Sequence, residues 1–244
     1  MQGYKEFSQI YDLLMDIDYE KWTSFIIDKL KGNKILEAAC GTGGITKLLA
    51  ERNYKVTAFD LSEDMLMRAY EKLKHSPMVR LLNQNMVDFQ ISDKFDAAIC
   101  CCDGVNYLNG EETKLFFERI YGHLAEGSKF IFDISTNYKY EKMFNDTYVY
   151  DDGDIFYVWE NESDGNGIIN IEINFFIKDT INKYHRITEV QTQYVHGTDE
   201  IYNLLKNTGF ENIEIFDDYN EEAYTEKSLT AVFTAIKQHD KSIG

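Results

Sequence analysis

The sequence predicts an α/β protein: a doubly wound sheet whose strands alternate with helices, interrupted after the fifth strand by an antiparallel β insertion. Three observations predict it. A short apolar run, Lys34-Ile-Leu-Glu-Ala38, meets the glycine cluster Gly41, Gly43 and Gly44 and then a helical pattern, the sequence form of strand, tight turn and helix. Further apolar runs of strand length follow, separated by helically spaced apolar residues, and that alternation builds a largely parallel sheet with right-handed crossovers. After Thr136 the period changes to two, clearest where Ile169, Ile171, Ile173, Phe175 and Ile177 alternate with Asn170, Glu172 and Asn174.

Taken in order, two amphipathic helices come first, carrying Phe7, Ile10, Tyr11 and Leu14, then Trp22, Phe25, Ile26 and Leu30. After the glycine turn a helix runs to about Arg52, and Lys55–Phe59 is a second buried strand ending at Asp60. Ser62 is the expected N-cap of the next helix, with Glu63 and Asp64 on its positive end and Met65, Leu66, Ala69 and Leu73 inward. Val79–Leu82 is the third strand and Phe95–Cys102 the fourth, nearly all apolar as in the middle of a parallel sheet. A helix from Glu111 to Ala125 should bury Leu115, Phe116, Ile120 and Leu124 and end at Gly127, before a fifth strand at Lys129–Ile134.

The insertion that follows should hold three or four strands, with turns at Asp164–Gly167 and Asp179–Asn182. Thr198-Asp199-Glu200 should cap a last helix that turns Ile201, Leu204 and Leu205 inward and ends at Gly209. Phe210–Phe216 and Leu229–Lys237 supply two final strands, joined by an acidic, solvated connection from Asp217 to Glu226.

The chain of 244 residues suffices for one large α/β domain with an elaboration. We divide it into 1–136 with 196–244 as the main domain and 137–195 as the insertion. A formal charge of −17 repels phosphate backbones and anionic membranes, so the expected partner is a small molecule, with no nucleic acid and no membrane. The four cysteines, Cys40 and the adjacent Cys100, Cys101 and Cys102, have neither zinc spacing nor a disulfide framework, so no metal is expected. Without an apolar run of spanning length or a signal core, the protein is expected to be soluble and cytoplasmic.

The glycine turn lets a ligand approach the main chain. A dinucleotide fingerprint would need glycine or alanine at position 46, where this chain has Thr46, which disfavours a plain NAD site. The pattern Glu37-x-Ala39-x-Gly41-x-Gly43 followed by Asp60 resembles the cofactor motif of the class I S-adenosylmethionine-dependent methyltransferases. It is closest in pattern to small-molecule N-methyltransferases of the sugar-amine and glycine type that carry a β insertion. The resemblance implies a Rossmann-like sheet of seven strands in the order 3-2-1-4-5-7-6 and S-adenosylmethionine as cofactor.

By that resemblance Glu37, Ala38, Ala39, Gly41 and Gly43 line the cofactor and Asp60 holds the ribose hydroxyls, as a carboxylate after a strand can. Leu61 and Met65 would face the adenine. Asn85 and Met86 stand where the family commonly carries Asp-Met, with the Asn85 amide oxygen able to accept from the adenine amino group. Cys101 would present its carbonyl to the methionine amine, and Tyr4, Tyr11 and Trp22 would form an N-terminal cover. Asp103, Asn106 and Tyr107, after the fourth strand, would border the acceptor.

The implied reaction is an in-line displacement on an activated methyl group, which needs alignment and exclusion of water more than acid–base chemistry. An amine acceptor needs only to be unprotonated, so no catalytic residue is assigned; Asp103 and His185 are the candidate bases for a hydroxyl. The insertion would cover the acceptor, or serve as a homodimer face or a stabilising flap. The rival readings are a nicotinamide-dependent oxidoreductase and an S-adenosylmethionine-binding module without turnover. No Asn-Pro-Pro-Tyr motif of the nucleic-acid amino-methyltransferases is present.

Overall fold

The structure, a computed structural model, describes residues 17–143, 147–179 and 181–238. Tyr4 and Tyr11 of the expected cover lie outside the described residues. Its elements are α1 (Tyr19–Lys29), β1 (Lys34–Ala38), α2 (Gly44–Glu51), β2 (Lys55–Asp60), α3 (Glu63–Leu73), β3 (Val79–Asn83) and β4 (Phe95–Cys100). A 3₁₀ turn (Gly104–Tyr107), α4 (Gly110–His123), β5 (Leu124–Ser135) and α5 (Asn137–Met143) follow. The insertion is β6 (Tyr148–Asp151), β7 (Ile155–Ser163), β8 (Ile168–Lys178) and β9 (Tyr184–Tyr194), and α6 (Thr198–Thr208), β10 (Phe210–Asp217) and β11 (Thr230–Lys237) return to the main sheet.

The main sheet runs β10-β11-β5-β4-β1-β2-β3, the expected order with β11 and β10 as its seventh and sixth strands. Strands β1 to β5 pair in parallel, and β11 inserts antiparallel between β5 and β10. The β1 register places Glu37 between Ala58 of β2 and Ile99 of β4, so the acid sits centrally near the carboxyl ends of the strands, where open α/β sheets bind ligands. Phenylalanines 59, 116, 117, 130, 132, 210 and 233 fill one face of the sheet, while Phe25, Ile26, Ile45 and Leu49 cover the other.

The insertion is an antiparallel sheet in the order β6-β7-β8-β9. One of its faces is buried: Ile169, Ile171, Ile173, Phe175 and Ile187 pack with Met65 of α3 and Tyr140 of α5. Met65, expected inward on its helix and beneath an adenine, is where the insertion rests on the main domain.

Several local expectations change. Helix α4 stops at His123, because Asn109 and Glu112 form a capping box that starts it at Gly110 and β5 begins at Leu124. Gly127 does not end the helix; it sits within β5 at φ 74°, where the β4–β5 register slips between Phe95↔Leu124 and Ala97↔Lys129. The buried face of α4 carries Phe116, Phe117 and Ile120, leaving Leu115 exposed. The N-cap of α6 is Gly197, with Thr198 already inside the helix, while Gly209 ends it at φ 106°. The acidic connection after β10 is not wholly solvated: Tyr219 is 1% exposed and stacks on Trp22 at 4.3 Å. Among the described residues no helix is long and apolar enough to cross a membrane.

Candidate active site

Ala39, Gly41 and Gly43 all take left-handed backbone, at φ 52°, 53° and 78°. The two glycines serve different purposes. A side chain at Gly41 would meet open space, so this is where the main chain is bare towards the cleft. At Gly43 a Cβ would stand 3.0 Å from Leu73 and 3.2 Å from Ala69, so that glycine admits α3 against the turn and does not face the cleft. A Cβ at Gly44 would strike the ring of Tyr19, which lies over the start of α2.

Two carboxylates flank the bare backbone. Glu37 is buried and accepts a hydrogen bond from the Thr46 hydroxyl at 2.7 Å. Burial, with the negative charge of Asp60 adding to it, raises its pKa to about 8 against the opposing Thr46 bond. Thr46, the residue that spoils a dinucleotide fingerprint, is thus the partner of the motif's acid. Asp60 is half-buried and accepts from the Gly41 amide at 2.8 Å and the Ser62 amide at 2.8 Å. Burial raises its pKa also, opposed by those amides. Ser62 caps α3 as expected.

Beyond Asp60, Leu61 is 68% exposed and Met65 is buried against the insertion. Asn85 uses its amide oxygen to accept from the Val87 amide at 3.0 Å, and Met86 packs on the phenylalanine-rich core. Trp22 stands one layer back from the cleft, against Tyr219; Tyr19, a residue the sequence reading passed over, occupies the position over the glycine turn.

At the end of β4, Cys101 is buried and Cys102 and Asp103 are two successive non-glycine residues at positive φ, 59° and 50°. Such backbone persists only where its surroundings over-determine it. Here Asp133, on β5, accepts from the Cys102 amide at 3.0 Å, from the Asp103 amide at 2.5 Å and from the Tyr219 hydroxyl. Burial raises Asp133 to a pKa of about 6, opposed by the Tyr219 bond. All four cysteine thiols are pushed well above their ordinary pKa by burial and by these carboxylates.

The three residues expected at the acceptor separate. Asp103 is half-buried, accepts from the Ser135 hydroxyl at 3.1 Å and from Gln193 of β9, and feels the charge of Lys139, whose ammonium donates to Ser135 at 2.9 Å. Asn106 is fully buried, and its amide bonds the Tyr194 carbonyl at 2.9 Å and the Ser135 amide at 2.8 Å, which fastens the insertion. Tyr107 donates to Gln191 of β9 at 2.7 Å. His185 lies at the far end of β9, six residues or about 20 Å of strand from Gln191, and pairs with Asp179 at 3.1 Å. Arg186 is held by Asn174. Neither belongs to the cleft.

Tyr19, Thr46, Asp133, Gln193 and Tyr219 are the site's unforeseen members. The one with a readable signal is Asp133, an acid near the carboxyl end of the apolar run Phe-Ile-Phe-Asp-Ile. Among the described residues no three His, Cys, Asp or Glu side chains are grouped to hold a metal ion.

This geometry, an α/β sheet with a bare glycine turn between two acids and a β insertion above, defines a nucleoside-type cofactor cleft. A family model described as a methyltransferase domain matches residues 35–127. A protein of Geobacillus sp. (strain WCH70), provisionally named a methyltransferase, is 33% identical, the match covering 96% of this chain and 99% of the relative. The crystal structure of an S-adenosylmethionine-dependent methyltransferase from Clostridium acetobutylicum ATCC 824 superposes with a TM-score of 0.88 at 32% identity, covering 97% of this chain and 99% of the other. The sugar N-methyltransferase KedS8 from Streptoalloteichus sp. shares the fold, with a TM-score of 0.76 at 18% identity over 94% and 93% of the two chains. The chain belongs to the S-adenosylmethionine-dependent methyltransferases, and S-adenosylmethionine is its cofactor.

Proposed function

We propose that the cleft between Tyr19, Glu37, Gly41 and Cys101 holds the methionine end of S-adenosylmethionine, that Asp60 holds the ribose, and that Leu61, Met65 and Asn85 border the adenine. The cofactor supplies a methyl group on a sulfonium. The residues present suit it: Glu37 and Asp60 are acids beside a ligand that carries an ammonium and a sulfonium, and Tyr19 offers an aromatic face to a cation. The single observation that carries the reading is Asp60, whose carboxylate is fixed by the amides of Gly41 and Ser62 beside the bare backbone of Gly41.

The acceptor in this reading is a small amine, taken up beneath the insertion of residues 137–195, with Asp103 bordering it. Support comes from the acidic character of the cleft, from an overall charge of −17 that disfavours polyanions, and from the fold shared with a sugar N-methyltransferase. Asp103 would attract the amine; burial raises its pKa, and the charge of Lys139 opposes that rise. Calorimetric titration with S-adenosylmethionine, S-adenosylhomocysteine and NADH tests the cofactor site; tight binding of the two sulfur compounds, lost in Asp60→Ala, is expected. Mass-spectrometric detection of methyl transfer across panels of sugar amines, amino acids and phenols tests the acceptor, and transfer confined to the phenols would overturn the amine reading.

A further inference from the structure

The backbone after β4 is held from behind. In a planar trans peptide the N–H and the preceding C=O point in opposite directions, and no cis peptide occurs among the described residues. The amides of Cys102 and Asp103 both donate to Asp133. The carbonyls of Cys101 and Cys102 therefore point away from Asp133. Cys101 and Cys102 line the cleft with Tyr19, Glu37 and Gly41, whereas Asp133 lies behind them, 1% exposed and closed off by the hydroxyl of Tyr219. The side away from Asp133 is thus the cleft side.

We infer that Asp133 is a positioning residue, which turns the Cys101 and Cys102 carbonyls into the cleft as a paired acceptor for the ammonium of the cofactor's methionine end. Tyr219 orients Asp133. This rests on the proposed placement of the cofactor and adds how that placement is enforced. Two successive left-handed non-glycine residues are costly, and ordinary extended backbone there would swing both carbonyls elsewhere. A carboxylate at position 133 offers acceptors to all three donors at once, which an amide of the same shape cannot, since it replaces one oxygen with a donor. Tyr219 comes from the loop between β10 and β11 and stacks on Trp22 of α1, so that loop and the first described helix both bear on a turn they do not themselves contain.

The test is calorimetric titration of the whole protein, wild type and Asp133→Asn, with S-adenosylhomocysteine and with 5′-methylthioadenosine, which keeps the adenosine but lacks the amino-acid end. Asp133→Asn should weaken S-adenosylhomocysteine by roughly ten- to a hundredfold, the scale of a lost charge-assisted hydrogen bond, and leave 5′-methylthioadenosine within about twofold. Equal weakening of both ligands, or of neither, would overturn the inference. Should Asp133→Asn fail to fold, Tyr219→Phe retains the ring stack and both amide bonds; it should weaken S-adenosylhomocysteine a few-fold and spare 5′-methylthioadenosine, and an unchanged ratio of the two affinities sinks the idea. Wild-type protein that binds neither ligand refutes the cofactor placement itself, which separates the two failures.

Discussion

Asp60 and Asp133 each hold a turn that lines the same cleft, through Gly41 and Cys102, and use one device. Each is an aspartate near the carboxyl end of a strand, and each receives two backbone N–H groups, from Gly41 and Ser62 in one case and from Cys102 and Asp103 in the other. They differ in what closes the remaining acceptor sites. Asp60 stays half-buried beside the bare backbone of Gly41, where the proposed ribose hydroxyls would reach it; Asp133 is closed off by Tyr219 and in our inference acts through the peptides it holds. On this proposal a charged side chain with the same local geometry would contact a ligand or serve as scaffold according to one long-range neighbour.

The largest effect that would break this comparison is at Asp60. Asp60→Ala removes the proposed ribose contact and strands the Gly41 and Ser62 amides, and affinity for both S-adenosylhomocysteine and 5′-methylthioadenosine should fall about a hundredfold or more by calorimetry. If only the methionine-bearing ligand were weakened, the two aspartates would not divide the cofactor as described.

Glu37, between them, sharpens the electrostatic side. Its native pKa of about 8 lies above the ordinary 4.5, so the folded protein retains a proton that the unfolded chain has already released. Stability of the ligand-free protein is therefore highest at low pH on this account and falls as pH rises through 8, by up to about 1.4 kcal/mol per pH unit for one proton. Asp60 and Asp133, also raised, add in the same direction over the lower part of the window. Thermal unfolding at pH 6, 7 and 8 should show this decline, and Glu37→Gln should flatten it; a rising curve in wild type would contradict the burial of an uncompensated acid.

The attachment of the insertion makes a smaller comparison. Asn106→Ala leaves the Ser135 amide and the Tyr194 carbonyl without their partner and should cost about 1–3 kcal/mol, read as a fall of several degrees in unfolding temperature. Tyr107→Phe loses the exposed bond to Gln191 and should cost about 0.5–1.5 kcal/mol. Equal losses from the two substitutions would mean that the exposed contact holds the insertion as firmly as the buried one.

The legible parts of the site were those whose partners lie close along the chain. Glu37 to Gly43 form one strand and turn, Asp60 ends the next strand, and Ser62 caps the helix after it, so periodicity and turn chemistry suffice to place them. The partners of Asn106 are illegible for the opposite reason. In a turn after a strand it has the same sequence appearance whether its amide faces a ligand or the Tyr194 carbonyl 88 residues away. Tyr19 and Trp22 lie on one helix and look alike in sequence, and only the loop carrying Tyr219, on which Trp22 stacks, separates their surroundings.

The sequence by itself determined the alternation of strands and helices, the glycine turn, the two motif acids and the period-two insertion, because hydrophobic spacing and glycine backbone freedom act over a few residues. Tertiary structure alone decided that Thr46 serves Glu37, that Gly43 admits a helix while Gly41 opens on the cleft, and that Asp133 answers to a tyrosine 86 residues further on. A carboxylate's role follows from which donors and how much water surround it, and both are set by elements that meet only when the sheet is assembled.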